Sequence, residues 1–113
     1  MSKPQDAHSF SPISAAQLAR PSGGAASCDL SSLPPAARSI IMAESGGDPT
    51  AKNPRSTAFG LGQLIVANRK ALMGGNYASN DCGAQIAAFS KYTKGRYGSF
   101  ENALAFRKSH GWY

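Results

Sequence analysis

The chain has 113 residues, of which 42% are hydrophobic, so its length suffices for one small domain with a single core. Its formal net charge is +6, and this sign favours anionic partners such as nucleic acid, anionic lipid or the acidic polymers of a bacterial cell wall. No apolar run approaches the roughly 18 residues that a membrane-spanning helix needs, and no apolar segment typical of a signal peptide follows Lys3. We therefore expect no membrane span, and a target outside the cytoplasm would require delivery by another route.

The N-terminal quarter differs in composition from the rest. Residues 1–27 consist mainly of Ser, Ala, Pro, Gly and Gln, which bury too little apolar area to offset the entropy lost on ordering. We expect this segment to be a disordered tail, in which residues 13–20 could become helical when docked on a partner protein. Residues 28–113 are predicted to form the folded domain.

Turn residues and apolar periodicity predict two helices in the first half of that domain. The first is expected over residues 33–45 with Ser31 or Ser32 as its N-cap, and the second over residues 62–73. The loop at 48–60 between them is rich in turn residues and shows no strand-like alternation. The apolar residues placed inward are Leu33, Ala36, Ala37, Ile40 and Ile41 in the first helix and Leu61, Leu64, Ile65 and Leu72 beside the second.

Two more helices are expected in the second half. The third begins at Asn80 or Asp81 and reaches about residue 95, and the fourth follows a Ser99 cap with Glu101 in its first turn. The fold class is therefore all-α, a small domain of about four short helices with long loops. The residues placed inward are Ile86, Ala87, Phe89 and Thr93 in the third helix and Ala103, Leu104 and Phe106 in the fourth.

Two cysteines, Cys28 and Cys82, stand far apart without the paired spacing or histidine partners of a zinc site. A disulfide between them would close a long loop, whereas a protein kept in the cytoplasm would hold both as thiols. The sequence leaves their redox state open.

A carboxylate ends the apolar stripe of the first helix. Glu44 follows Ile40 and Ile41 on the same helical face and precedes the helix-stopping segment GGDP at 46–49. If Glu44 points inward, desolvation raises the pKa of its carboxyl group and makes it a candidate proton donor near neutral pH. The alternative is a partly solvated residue at the edge of the stripe, followed by an ordinary glycine C-cap.

The segment AFGLGQ at 58–63 has a composition suited to binding a neutral polar ligand. Its glycines, Gly60 and Gly62, permit close approach of a ligand to the main chain, and Gln63 presents an amide at the start of a helix. These groups suit a polymer rich in hydroxyl and amide groups, such as a sugar chain. A simple junction between a loop and a helix would have the same pattern.

Together, ESGGDP at 44–49, Asn-Pro at 53–54 and AFGLGQ at 58–63 resemble the signature of the lysozyme-like soluble lytic transglycosylases. The segments KYTKGRYGS at 91–99 and GWY at 111–113 resemble the ending of compact transglycosylase-like domains of bacteriophage and actinobacterial proteins. This resemblance covers roughly residues 36–113. It implies a peptidoglycan-cleaving enzyme with a lysozyme-like fold.

In that family a single glutamate cleaves the β-1,4 bond between N-acetylmuramic acid and N-acetylglucosamine. The resemblance assigns this role to Glu44, which would first protonate the glycosidic oxygen and then act as base while the muramoyl 6-hydroxyl attacks the anomeric carbon. The product is a 1,6-anhydro sugar, and the reaction requires neither a metal nor another cofactor.

The resemblance also implies substrate-binding residues around Glu44. Ser45 and Gln63 are expected to contact acetamido or hydroxyl groups, beside Phe59 and Gly60. Phe59 stands where a tyrosine is common in the family, so a polar contact from that hydroxyl is lost. The tyrosine expected to orient the glutamate is Tyr92, with Tyr97 as the second choice.

Two alternatives concern the reaction and the role of the protein. Asp48 could act as a second carboxylate, which would make the protein a hydrolytic muramidase. The chain could also be a structural or pilot protein of a virion that retains the fold as a peptidoglycan-binding module. Specific nucleic-acid binding is disfavoured because the basic residues are scattered without a reading helix or aromatic platform.

The expected partners and the expected location of the protein follow from this substrate. The partners are peptidoglycan glycan strands and, through the tail, other virion proteins. The expected location is a phage virion or the host periplasm and cell wall.

Overall fold

The computed structural model describes residues 27–113, which contain four α-helices. These are α1 (Pro35–Ser45), α2 (Val66–Met73), α3 (Cys82–Tyr97) and α4 (Phe100–His110), with a short 3-10 turn at Gly74–Asn76. Within the described range, β-pairing is limited to isolated bridges that join Phe59 to Lys52 and Leu64. The all-α prediction is confirmed, and the tail predicted for residues 1–27 lies outside the described residues apart from Ser27. None of the described helices is both long and apolar enough to cross a bilayer.

Helix α1 begins without a side-chain cap. Its N-cap residue is Pro34, so the prediction that Ser31 or Ser32 caps the helix is wrong. Proline already has the backbone φ of a helix start, and Pro35 has no N–H that would need an acceptor there. The helix ends at Gly46, whose φ of 67° is left-handed and whose N–H donates to the Met42 carbonyl.

Helix α2 begins at Val66, four residues later than predicted. Gln63 has a φ of 52°, and its N–H donates to the Gly60 carbonyl, so residues 60–63 form a turn instead of the first helical turn. Leu61 and Leu64 are buried as expected, but they enter the core from this turn. The apolar pattern thus identified Leu61 and Leu64 correctly, whereas Ile65 and Leu72 are only half-buried and the helix boundary was wrong.

Helices α3 and α4 begin as predicted. The Asp81 carboxylate accepts from the Ala84 N–H, and the Ser99 hydroxyl accepts from the Asn102 N–H. Ala87, which was placed inward, is exposed. The buried stripe of α3 passes through the opposite face, where the buried residues are Gln85, Ala88, Phe89, Tyr92 and Thr93.

The core lies between α1, α3 and α4, with α1 packed against α4 and α4 against α3. A disulfide joins Cys28 to Cys82, with their Cα atoms 5.7 Å apart. It attaches the segment that precedes α1 to the first residue of α3. The sequence left open whether the two cysteines are thiols or a disulfide, and in this structure they form a disulfide.

Arg69 of α2 connects three segments of backbone. Its Nε donates to the Leu64 carbonyl at 2.9 Å, and its two terminal nitrogens donate to the carbonyls of Tyr77 and Thr57 at 2.8 and 2.6 Å. The guanidinium also lies 5.3 Å from the centre of the Phe59 ring. One side chain therefore holds the 48–60 loop and the turn after α2 together.

Replacing Arg69 with methionine is expected to destabilise the domain by about 2–3 kcal/mol, because three carbonyls lose a charged donor and the bond to the Leu64 carbonyl is buried. The free energy of unfolding from urea denaturation measures this loss. The matched control is Arg55→Met in the 48–60 loop, where the arginine is solvent-exposed and a change within about 0.5 kcal/mol is expected. Equal effects of the two substitutions would contradict the role given to Arg69.

Candidate active site

Glu44 lies in the last turn of α1, next to the core residues Ile40 and Ile41. Its side chain is 12% exposed, and its Oε2 accepts a hydrogen bond of 2.7 Å from Nε of Arg107 on α4. Burial raises the pKa of the Glu44 carboxyl above its ordinary value of 4.5, and the Arg107 cation opposes this rise with a smaller effect. Glu44 is thus a mostly buried carboxyl group that keeps its proton to higher pH than an exposed glutamate does.

Arg107 was not singled out by the sequence analysis. It lies 63 residues from Glu44 along the chain, and the two meet because α1 packs against α4. A signal was available: Phe100 and Ala103 form the buried stripe of α4, and Arg107 is the next residue on that face. A cation on the core side of a helix suggests a buried anionic partner.

Tyr113 is a second residue near Glu44 that the sequence analysis missed. Its hydroxyl donates to the Gly62 carbonyl at 2.6 Å, and its side chain is fully buried. Burial raises the pKa of Tyr113 well above its usual value of 10.0, and the nearby Glu44 carboxylate raises it further. The terminal segment therefore packs between the Gly62 turn and the glutamate.

The two tyrosines predicted to orient the glutamate, Tyr92 and Tyr97, both lie next to Tyr113. The Tyr92 hydroxyl donates to the Tyr113 carbonyl at 3.1 Å, and the half-buried Tyr97 ring lies 6.3 Å from the Tyr113 ring. Tyr113 interacts electrostatically with Glu44. The orienting role of Tyr92 or Tyr97 stays a prediction.

Ser45 holds the turn that follows Glu44. Its buried hydroxyl donates to the Ile41 carbonyl at 3.2 Å and accepts from the Gly47 N–H at 3.2 Å. These bonds close the end of α1 and fix the backbone beside the glutamate. Contact of Ser45 with a substrate stays a prediction.

Two buried glutamines hold the loop between Pro49 and Leu61. Gln63 donates from Nε2 to the carbonyls of Ala51 and Gly60, at 2.9 and 2.8 Å. Gln85 of α3 accepts the Leu61 N–H at 2.7 Å and donates to the Pro49 carbonyl at 2.8 Å. Gln63 is thus engaged with backbone in this structure, and its predicted contact with substrate is untested.

Gly60 occupies a position that excludes any side chain. Its φ is 85°, and a Cβ atom there would lie 2.5 Å from Oε1 of Gln85. From the sequence, a glycine at position 60 was expected to let a ligand approach the main chain. In the structure, the lack of a side chain also makes room for the Gln85 amide.

Replacing Gly60 with alanine is expected to destabilise the domain by about 1–3 kcal/mol, since the new methyl group strains the backbone and displaces the Gln85 amide. Differential scanning calorimetry of the variant measures the effect. Gly75→Ala is the matched control, because nothing lies within 4 Å of a Cβ at Gly75. A Gly60 variant as stable as the Gly75 variant would contradict the close packing of Gln85 on this turn.

Comparison with known families identifies the domain. The model of the family described as "Transglycosylase SLT domain" matches residues 24–108, which is most of the chain. The chain belongs to this family. The resemblance found in ESGGDP and AFGLGQ is therefore confirmed at the level of the family.

Two curated relatives of this SLT domain carry the name "Probable transglycosylase IsaA". The protein from Staphylococcus xylosus is 41% identical over 75 residues, and that from Staphylococcus haemolyticus (strain JCSC1435) is 36% identical over 74 residues. Each match covers 66% of this chain but 27% of the relative, so the chain spans about a quarter of the length of these relatives. No solved structure matches the chain.

The other acids described in this SLT domain have local structural roles. Asp48 accepts from the backbone N–H and the hydroxyl of Thr50, at 2.8 and 2.7 Å. Asp29 accepts from the Ser31 N–H, Asp81 caps α3 and Glu101 lies in the first turn of α4. None of these carboxylates contributes to the pKa shift of Glu44, and Asp6 lies outside the described residues.

Phe59 lies in the wall of a cavity of about 380 Å³ whose lining does not include Glu44. Its half-buried ring and the other lining residues belong to the 48–60 loop and to α2 with the segment after it. The cavity is lined by Lys52, Asn53, Ser56, Thr57, Ala58, Phe59, Arg69 and Ala78. Of the residues predicted to bind substrate, Phe59 is the one that lines this cavity.

Proposed function

We propose that residues 28–113 form a lytic transglycosylase domain that cleaves the β-1,4 bond between N-acetylmuramic acid and N-acetylglucosamine in peptidoglycan. The observation that carries the proposal is Glu44, a mostly buried carboxyl group whose pKa is raised by burial, at the end of α1 in a chain of the SLT domain family. A raised pKa lets a carboxyl group keep its proton to higher pH, as a general acid for a glycosidic oxygen requires. The names of the staphylococcal relatives support the same activity.

In the proposed reaction Glu44 acts twice. It donates its proton to the glycosidic oxygen while the bond from that oxygen to the muramoyl anomeric carbon breaks, and N-acetylglucosamine leaves with a free 4-hydroxyl. The Glu44 carboxylate then takes the proton of the muramoyl 6-hydroxyl as this oxygen attacks the anomeric carbon. A 1,6-anhydro sugar forms, and Glu44 is protonated again.

The distribution of acids favours this mechanism over hydrolysis. A hydrolytic glycosidase uses a second carboxylate as nucleophile or as base for a water molecule. Asp48, the candidate for that role, has one carboxylate oxygen occupied by both bonds from Thr50. A substrate that supplies its own nucleophile needs no such partner.

Digestion of purified peptidoglycan with the protein, followed by mass spectrometry of the fragments, tests the proposal. Fragments with 1,6-anhydromuramic ends support the transglycosylase, whereas reducing ends that have gained water identify a hydrolytic muramidase. A folded protein that releases no fragment contradicts both activities. Binding to peptidoglycan without release would instead support the virion structural protein as the role of this chain.

The proposal includes the place of action. Peptidoglycan lies outside the cytoplasm, and the Cys28–Cys82 disulfide suits an oxidising compartment. We propose that the protein acts in a phage virion, as a lysis component, or in the host periplasm and cell wall, and that residues 1–27 contact other virion proteins. Detection with an antibody in purified virions and in cell-wall fractions distinguishes these sites, and recovery from the cytoplasm alone would contradict all of them.

A further inference from the structure

We propose that Arg107 is a positioning residue for Glu44. Arg107 orients the carboxyl group, and its positive charge stabilises the carboxylate form, so that Glu44 can act first as an acid and then as a base. This inference rests on the proposed function, since it concerns how one carboxyl group completes both steps of the cleavage. Neither the resemblance of the sequence to the family nor the relatives assigns a role to this residue.

The geometry provides the orienting part of the role. Nε of Arg107 lies 2.7 Å from Oε2 of Glu44, which is the distance of a charge-assisted hydrogen bond. The arginine and glutamate side chains are only 15% and 12% exposed, so the contact is largely shielded from water. Arg107 holds Oε2 from the α4 side, and in this proposal Oε1 transfers the proton to the substrate.

Burial and the Arg107 cation act in opposite directions on the protonation of Glu44. Burial favours the protonated form, which is the proton donor of the first step, and raises the carboxyl pKa. The Arg107 cation favours the carboxylate, which is the base of the second step. A glutamate that must give up and then recover a proton needs both influences, since burial alone would oppose formation of the anion between the steps.

Among the residues that the structure describes, Tyr113 is a further titratable group near Glu44, and it carries no charge in the working range. Tyr113 of the terminal segment has a pKa raised well above its usual value, so it stays neutral, and its hydroxyl is bonded to the Gly62 carbonyl. Tyr92 and Tyr97 of α3 interact electrostatically with Tyr113, and the Tyr92 hydroxyl donates to the Tyr113 carbonyl. Arg107 is therefore the ionised partner that sets the charge balance at Glu44 among the residues that the structure describes.

Two measurements on purified protein test the inference, and one of them is independent of activity. The chain contains only two glutamates, Glu44 and the exposed Glu101, so the carboxyl carbon of Glu44 can be followed by NMR after selective ¹³C labelling of glutamate. In R107Q the Glu44 titration is expected to move to higher pH, because the opposing cation is gone. In K108Q, which removes an equal charge from the neighbouring exposed position, it is expected to stay in place.

The second measurement is the pH profile of peptidoglycan cleavage. R107Q is expected to lower the rate at the wild-type optimum by about 10- to 100-fold and to move the alkaline limb to higher pH. R107K keeps the cation but not the planar guanidinium, so its alkaline limb is expected to stay near that of the wild type while the rate falls. K108Q is expected to match the wild type in both respects.

An R107Q variant that loses activity equally at every pH, with an unshifted Glu44 titration, would overturn the inference and leave Arg107 a structural residue. If R107Q does not fold, R107K decides, since a wild-type rate in that variant would show that the guanidinium does not position Glu44. Should the wild-type protein release no fragment, the proposed function fails. The NMR titration would then still support or overturn the electrostatic coupling by itself.

Discussion

Replacing Glu44 with glutamine is expected to reduce release of peptidoglycan fragments by about 10²- to 10⁴-fold, the usual contribution of a general acid or base. Glutamine has nearly the same shape, and its amide oxygen can still accept the bond from Nε of Arg107. It has no proton to give to the glycosidic oxygen and cannot accept the proton of the 6-hydroxyl. Release is measured by the loss of turbidity of a peptidoglycan suspension and by mass spectrometry of the soluble fragments.

The control for this substitution is Glu101→Gln, which removes the only other glutamate of the chain from an exposed position in the first turn of α4. This variant is expected to retain wild-type release. Circular dichroism should show the same helix content for both variants. A folded Glu44→Gln protein with wild-type activity would remove Glu44 from the mechanism and refute the proposed function.

Loss of the Cys28–Cys82 disulfide is expected to have the largest effect on stability. The bond connects residues 54 positions apart, and release of a loop of that length lowers the free energy of unfolding by about 4 kcal/mol. For a domain of this size, that loss corresponds to a fall in the melting temperature of about 15–30 °C. Thermal unfolding of a Cys28→Ser, Cys82→Ser double variant measures it directly.

Reduction of the wild-type protein provides the matched control. Since the chain has only two cysteines, a reductant should lower the melting temperature of the wild type and leave that of the double variant unchanged. The variant is expected to keep its activity at temperatures where it stays folded, because neither cysteine belongs to the Glu44 site. A double variant as stable as the oxidised wild type would contradict the structural role of the bond.

The fold could be predicted largely from local sequence signals. The errors in the predicted helix boundaries also have local causes. Asp81 and Ser99 cap their helices as expected, because an N-cap bond spans only a few residues. The start of α2 was placed too early because Gln63 adopts a positive φ, which is uncommon outside glycine and has no sequence signature here. The N-cap of α1 was assigned to serine because the apolar pattern was extended past the two prolines.

The sequence indicated where Glu44 lies but not which residues surround it. Glu44 became a candidate because its carboxyl group ends an apolar stripe, and the resemblance to the transglycosylase family then assigned it the catalytic role, which stays a prediction. Gln63 and Gly60 were interpreted as groups facing a ligand, whereas in this structure they also bond to or pack against backbone and Gln85. The hydrogen-bond capacity of such residues is visible in the sequence, but the choice between a ligand and the protein as the partner is not.

By itself, the sequence determined the all-α class and the placement of Glu44 at the end of a helix, since these depend on residues within a few turns of one another. It also determined the family, since the family motifs are read directly from the order and spacing of residues. Only the tertiary structure decided what the glutamate meets there. Its pairing with Arg107 across 63 residues and its closeness to Tyr113 depend on how α1, α4 and the terminal segment pack. Burial and a cation act on the pKa of Glu44 through space, so the balance between them becomes visible only once the helices are packed together.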